Sequence, residues 1–352
     1  MENRYGRLDR LLHHLALGAE SVRALSFDVN QAFAPSGERP DRQQAHVFVT
    51  GLARSGTSIL LDVLFRSGDF ETLTYRHMPI VLAPNLWARL NRSHRYSAKG
   101  IERAHGDGIR VDFDSPEAFE EVFWITFCRK YIQSKGINIQ SEEDVSEEIL
   151  VKFERFVRNV ISSSGDGRSD KRYLSKNNNN IVRLHALRRA FPRAHILIPF
   201  RNPVDHARSL FRQHQRFCQM QSADSYTRKY MNWLAHHEFG LDHKPFLVPH
   251  IESTLRYDPS DINYWLSYWI NIHQYLINSV PDRSIFICHD SLCAYPERYL
   301  TRLGERLGLE KDALDSSVFS ERARQSSEGC DPGLLEAASR LRDQLEGLDL
   351  LG

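Results

Sequence analysis

Residues 47–64 read VFVTGLARSGTSILLDVL, and their reading decides the fold. Val47, Phe48 and Val49 form a short apolar run with β-branched residues, as a buried strand does. Gly51 to Gly56 is a loop. From Thr57 onward, Ile59, Leu60, Val63 and Leu64 recur at helical spacing. Strand, glycine loop and helix in this order predict a phosphate-type anion site. Gly51 and Gly56 let the backbone bend until its N–H groups converge on an anion, and the helix N-terminus adds its dipole. Arg54 brings a fixed positive charge, and Ser55, Thr57 and Ser58 bring hydroxyl donors. The plainer alternative is a strand-to-helix turn that needs glycine for its backbone alone.

The spacing is G-x-x-x-x-G-T-S. An ordinary nucleotide phosphate loop carries Lys where Thr57 stands. Here the nearest cation is Arg54, upstream inside the loop. That departure argues against a standard ATPase or kinase.

The 352-residue chain is 41% hydrophobic and 26% charged, ordinary for a globular protein with a large core. Its formal net charge of +1 gives no global field for nucleic acid. The N-terminus carries charges throughout and does not read as a secretory signal, and no stretch reaches the length of a membrane span. The five cysteines form no C-x-x-C and fit reduced thiols in a cytoplasmic protein.

Along the chain, residues 1–45 read as a helical extension with an apolar stripe of Leu8, Leu11, Leu12, Leu15 and Leu17. Residues 46–315 read as an α/β domain with a helical insertion around 89–170, and 316–352 as a helical tail. In the segment 71–86, His77 falls where an α/β chain returns near the carboxyl ends of its strands; it is a candidate proton acceptor or a locally packed side chain. Ser115 and Pro116 predict a helix start, with Phe119, Val122, Phe123 and Phe127 on one face and Glu120 and Glu121 as solvated or structural charges. A short strand at 173–175 ends in Lys176 and four asparagines, Asn177 to Asn180. A lysine at a strand end points toward a ligand crevice, a solvated lysine being the alternative; the asparagines read as turn and cap chemistry. No His or Cys spacing suggests a metal site.

A second informative stretch is HILIPFRNPVDHARSLF, residues 195–211. HILIPF reads as a buried strand, with Pro199 suggesting an edge or a bulge. Arg201 ends it, Asn202 is an N-cap candidate, Pro203 fits the first helical position, and Ser209 lies further along the helix. An Arg at a strand end, a helix N-terminus beside it and a hydroxyl on that helix make a second anion site.

GLARSGTS and FRNPVDHARSL together resemble the sulfotransferase family that uses 3′-phosphoadenosine 5′-phosphosulfate (PAPS). The first resembles that family's 5′-phosphosulfate loop, and the second its 3′-phosphate motif. IFICHDSLCAYPERYLTRLGERLGL, residues 285–309, is similar to its late strand and helix, and SKNNNN to the segment around an active-site lysine in some members. The resemblance implies an α/β fold with a central parallel sheet flanked by helices, a P-loop NTPase-like sulfotransferase architecture, and PAPS as co-substrate with no metal. Carried over, Arg54, Ser55, Gly56, Thr57 and Ser58 would hold the 5′-phosphosulfate, and Arg201 and Ser209 the 3′-phosphate. Lys176 would lie near the bridging oxygen of the leaving group.

The family's base is a Glu or a His of variable position. His77 is the candidate here, with Glu71 and Glu121 behind it. The basic, glycine-containing C-terminal motif of the family's cytosolic members is not found; residues 320–329 would either substitute through Arg322 or Arg324 or form a plain loop. Aromatics crowd residues 220–244 and 257–275 and read as core or acceptor pocket. The expected acceptor is a hydroxyl or amine of a small molecule, carbohydrate or lipid. A nucleotide-dependent kinase, with ICHD at 287–290 as a magnesium-binding strand end, and a non-catalytic nucleotide-binding protein are the alternatives.

Overall fold

The strand residues sort by parity into two layers. The computed structural model describes residues 7–34, 43–90, 101–102, 110–111, 115–128, 131–164, 170–321 and 323–351. Its central sheet has five strands: β1 (Val47–Val49), β2 (Phe70–Glu71), β3 (Arg172–Lys176), β4 (His195–Phe200) and β5 (Ser284–Cys288). They are all parallel, in the order β2-β3-β1-β4-β5. The principal helices are α1 (Arg7–Gly18), α2 (Glu20–Asn30), α3 (Thr57–Arg66), α4 (Glu121–Phe127), α5 (Glu147–Ser163), α6 (Pro203–Ala223), α7 (Ile262–Ser279), α8 (Pro296–Leu307) and α9 (Pro332–Glu346).

Val47, Val49, Leu174, Leu197, Ile285 and Ile287 face one layer, where Leu60 and Leu64 of α3 and Leu300 and Leu303 of α8 pack. Phe48, Tyr173, Ile196, Ile198 and Phe286 face the other, against Phe153 of α5, Trp269 of α7 and Leu341 of α9. A parallel sheet covered on both faces needs apolar residues at both parities, which is why these strands read as continuous apolar runs. Helices on both faces make the chain a three-layer α/β protein, as its pattern predicts.

Four expectations are corrected in detail. Pro199 sits in an internal strand, not at an edge: it pairs in register with Ile287 of β5. Its missing N–H faces β1, whose ladder with β4 ends at the Val49–Leu197 pair and a bond from Thr50 N–H to Leu197 O of 2.9 Å. Beyond that point β1 has turned into the glycine loop, so no donor is missed. Ser115 and Pro116 do not start a helix. Pro116 bridges to Thr74 in antiparallel fashion, Tyr75 N–H donates to Ser115 O, and the helix begins only at Glu121. Pairing with the 72–75 segment holds this stretch extended.

The N-terminal helices bury part of the stripe: Leu17 is inside, with Phe27 and Arg23 of the next helix, while Leu11, Leu12 and Leu15 are more than half exposed. Here the packing partners decide, His13 lying edge-on to Tyr230 and His14 against Trp233; Leu8 lies outside the residues whose side chains are described. The tail does more than form α9: beyond it Asp349 bridges to Phe286, and Leu350 N–H donates to Phe286 O, lining the β5 edge. Of the expected insertion around 89–170, residues 91–100, 103–109, 112–114, 129–130 and 165–169 lie outside the described residues.

Candidate active site

The strand order creates a switch point. From β1 the chain passes to one side of the sheet through β2 and β3, then crosses to the other side for β4 and β5. Ligands of such sheets bind outside the carboxyl ends at that point. The adjacent strands β3, β1 and β4 end there in Lys176, the 51–56 loop and Arg201, so three features widely separated in sequence meet in one crevice.

The glycine loop is held tightly. Gly51 (φ 135°) and Gly56 (φ 102°) have backbones that disfavour side chains, and Arg54 also lies at positive φ (70°). A Cβ on Gly56 would stand 2.1 Å from Cδ2 of His289, the residue that follows β5. His206 Nε2 lies 2.8 Å from Ala53 O and pins the loop from α6. Burial, together with the Arg201 charge, pushes the His206 imidazole well below its usual range, so it does this as a neutral ring. Ser55 is fully buried, and its Oγ has no hydrogen-bond partner among the described residues. An orphaned buried hydroxyl costs free energy. At the floor of a glycine loop ahead of a helix N-terminus, it fits an anionic oxygen.

The second strand-to-helix turn meets the first. Asn202 caps α6 by accepting from the N–H groups of Val204 (3.1 Å) and Asp205 (3.2 Å), and Pro203 opens the helix as its sequence predicts. Arg201 Nη1 donates to Arg54 O at 3.1 Å, and Arg54 Nε donates to Ser209 Oγ at 3.4 Å. Arg54, Arg201 and Ser209 therefore belong to one cluster. The 324–328 segment lies along the same helix: Arg324 pairs with Asp205 (2.9 Å) and Asp290 (3.2 Å), and Arg208 Nε donates to Ser326 O (2.6 Å). Arg324 thus reaches the α6 N-terminus but is matched by two carboxylates there. Arg322 lies outside the described residues. Asp290, the acid of ICHD, accepts from Asn202 N–H at 2.7 Å and is engaged in this corner.

Between the loop and the chain beyond α6 lies a solvent-open cleft. Arg54, Thr57, Ser58, Lys176, Glu117, His236 and Glu238 line it, with Phe217, Met231 and Phe239 as apolar surface. Of the aromatics in 220–244 and 257–275, Phe239 lines this cleft, and Trp265 and Tyr268 border a neighbouring hollow that shares Ala53, Glu238 and Phe239 with it. Tyr264, Trp265, Tyr268 and Trp269 are core residues, and Tyr226, Tyr230 and Trp233 pack against one another and toward α1. The two polar groups that sequence reasoning missed, His236 and Glu238, lie inside one of the stretches noted only for its aromatics. HHEFG at 236–240 was the available signal.

The other candidate bases are committed to structure. His77 ends a short 3₁₀ turn, and its Nδ1 accepts from Thr74 N–H (3.0 Å) in a reciprocal cap while Nε2 lies 3.3 Å from Ser163 Oγ. Burial pulls its pKa to about 4, and it does not line the cleft. Glu71 pairs with Lys171 at 2.5 Å beside β2. Glu121 is buried against Arg183 at 2.7 Å and accepts from Asn177 Nδ2 at 2.6 Å. Among the described residues no three His, Cys, Asp or Glu side chains group as a metal site, and no helix is long and apolar enough to cross a membrane.

The site is thus a crevice at the switch point of a parallel sheet, where two strand-to-helix turns are joined through Arg54 and Arg201. The model of the sulfotransferase family matches residues 46–248, more than half of the chain, and the protein belongs to that family. Among solved structures it is similar to sulfotransferase STF1 from Mycobacterium tuberculosis (13% identity, 97% of this chain and 86% of that one, TM-score 0.46). It is similar also to a sulfotransferase from Alicyclobacillus acidocaldarius (16%, 87% and 95%, TM-score 0.41). The family match, not these likenesses, makes the assignment. Comparison with curated protein sequences gives no match.

Proposed function

We propose that the protein transfers the sulfuryl group of PAPS to a hydroxyl or amine of an acceptor that enters the cleft. The observation that carries this reading is the shared arginine cluster: Arg54 touches Ser209, and Arg201 touches the Arg54 backbone, so the 5′ and 3′ anion sites adjoin as one nucleotide bisphosphate would require. Ser55, Gly56, Thr57 and Ser58 with Arg54 hold the 5′-phosphosulfate. Arg201 and Ser209 hold the 3′-phosphate. Lys176 neutralises charge on the oxygen that leaves. When bound, PAPS supplies a sulfuryl group already attached to a good leaving phosphate. The chain's own task is positioning and charge neutralisation, and turnover is expected to survive chelators. The acceptor is a small molecule, carbohydrate or lipid rather than nucleic acid, and the free cysteines suit a cytoplasmic setting.

The test is calorimetric binding of 3′,5′-adenosine bisphosphate against 5′-AMP and ATP, without magnesium. Binding that requires the 3′-phosphate is the expected result. Binding of ATP alone, and only with magnesium, would overturn the reading in favour of a kinase.

A further inference from the structure

The 235–238 turn in the cleft lining is fastened to the residues that follow Lys176. Immediately after Lys176, Asn178 Nδ2 donates to Glu238 Oε1 at 3.2 Å, and Asn179 Nδ2 donates to Ala235 O at 3.4 Å. Ala235 takes a left-handed backbone (φ 54°), and His236 N–H returns to Met231 O at 2.9 Å, which closes the turn. His236 Nδ1 lies 3.7 Å from Glu238 Oε2. The His236 and Glu238 side chains keep 23% and 18% of their surface accessible, so both open to the cleft rather than to core. Among the described residues Nε2 of His236 has no hydrogen-bond partner. A carboxylate at ion-pair distance from one ring nitrogen favours the tautomer that carries its proton on that side, with the other nitrogen as the acceptor.

We infer that His236 takes the proton from the acceptor and that Glu238 is its positioning residue, an assignment that rests on the sulfuryl-transfer reading above. In the step, the acceptor oxygen or nitrogen forms a bond to sulfur, and the bond from sulfur to the bridging oxygen breaks. The acceptor proton passes to His236 Nε2, and the electron pair of the broken bond stays on the phosphate oxygen beside Lys176. Burial pushes the Glu238 carboxyl up, but the neighbouring His236 and the charge of Lys176 outweigh it and hold it well below the usual carboxylate range. An ionised Glu238 orients the imidazole and does not compete for the proton. The charged and titratable groups around His236 are Glu238 and His237 on its own segment, Lys176 at the end of β3, Arg54 in the loop and Glu117 before α4.

Two measurements test the assignment without a known acceptor. Carbethoxylation by diethylpyrocarbonate, mapped by mass spectrometry, should be at least about tenfold slower at His236 with PAPS bound, while exposed His185 and His250 label unchanged. His236→Ala should bind 3′,5′-adenosine bisphosphate like wild type yet release sulfate from PAPS to water about 10²–10⁴-fold more slowly, with partial rescue by imidazole. Glu238→Gln should lower the same rate with nucleotide affinity kept, and Glu238→Asp should restore part of it. Full labelling of His236 in the PAPS complex, or wild-type sulfate release by His236→Ala, overturns the assignment. Failure of the wild-type protein to bind PAPS would instead remove the transfer reading beneath it, and the two failures are told apart by the binding measurement.

Discussion

Gly56→Ala tests how the anion loop is built. Gly56 sits at φ 102°, ψ 6°, where an alanine backbone is strained by about 1–3 kcal/mol. Its new Cβ would also stand 2.1 Å from His289 Cδ2 and 2.8 Å from Nε2, so the ring must move, at about 1–3 kcal/mol more. The total is about 2–6 kcal/mol. Gly68 is the internal control: it too has positive φ (83°), but nothing lies within 4 Å of its would-be Cβ. Gly68→Ala should therefore show the backbone cost alone. Urea unfolding at 25 °C reads both. A double-mutant cycle with His289→Ala isolates the steric part, and the coupling should favour the double variant by about 1–3 kcal/mol. Zero coupling, or a Gly56→Ala loss no greater than that of Gly68→Ala, would refute the idea that His289 walls the loop.

Arg201→Ala should raise the dissociation constant for 3′,5′-adenosine bisphosphate about 10- to 150-fold, from a charge-assisted contact of about 1.5–3 kcal/mol, and unchanged affinity in calorimetry would detach Arg201 from the nucleotide. Glu121→Gln leaves the Arg183 guanidinium buried with its pair broken and should cost about 3–5 kcal/mol of stability; a negligible shift of the urea midpoint would show that the asparagine and glutamine amides around it suffice. Stability should fall as pH drops below about 6.5, because burial depresses the histidines at 46 (about 3), 77 (about 4), 243 (about 4) and 273 (about 4). The unfolded chain binds these protons first, so each group contributes up to about 1.4 kcal/mol per pH unit between its unfolded and folded values. Equal urea midpoints at pH 7 and pH 5 would contradict their burial as neutral rings.

The parts of the site that were legible in sequence are those whose chemistry is local. A glycine loop, an N-cap followed by proline, and a strand that ends in arginine each lie within a few residues, and the structure keeps all three. The parts that were not legible depend on contacts between distant segments. His77 reads as available because nothing nearby in sequence shows that its ring will cap its own turn and meet Ser163 on α5. Pro199 reads as an edge signal because sequence cannot show that the neighbouring strand has already ended. His236 and Glu238 escape notice because their partners, Asn178 and Lys176, lie far upstream.

The asparagine run shows why residue type matters where spacing says little. Asn178 to Asn180 begin a 3₁₀ turn, in which about three residues make one revolution, so successive side chains splay in different directions. Asn178 and Asn179 reach the 235–238 wall, while Asn180 reaches Glu120 at 3.0 Å. Asn177, ahead of the turn, donates to Glu121 and anchors its own N–H on Val49 O of β1. Three of these four amides thus donate to carboxylates. Aspartate, an equally good turn and cap residue, would set carboxylate against carboxylate at each of those places in a buried setting, where like charges are costly. Serine would be too short to reach. A rigid amide corner directly after Lys176 is what holds that lysine at a fixed distance from both the loop cation Arg54 and the His236–Glu238 wall. The run is therefore the joint that makes one site out of three strand ends and a distant turn.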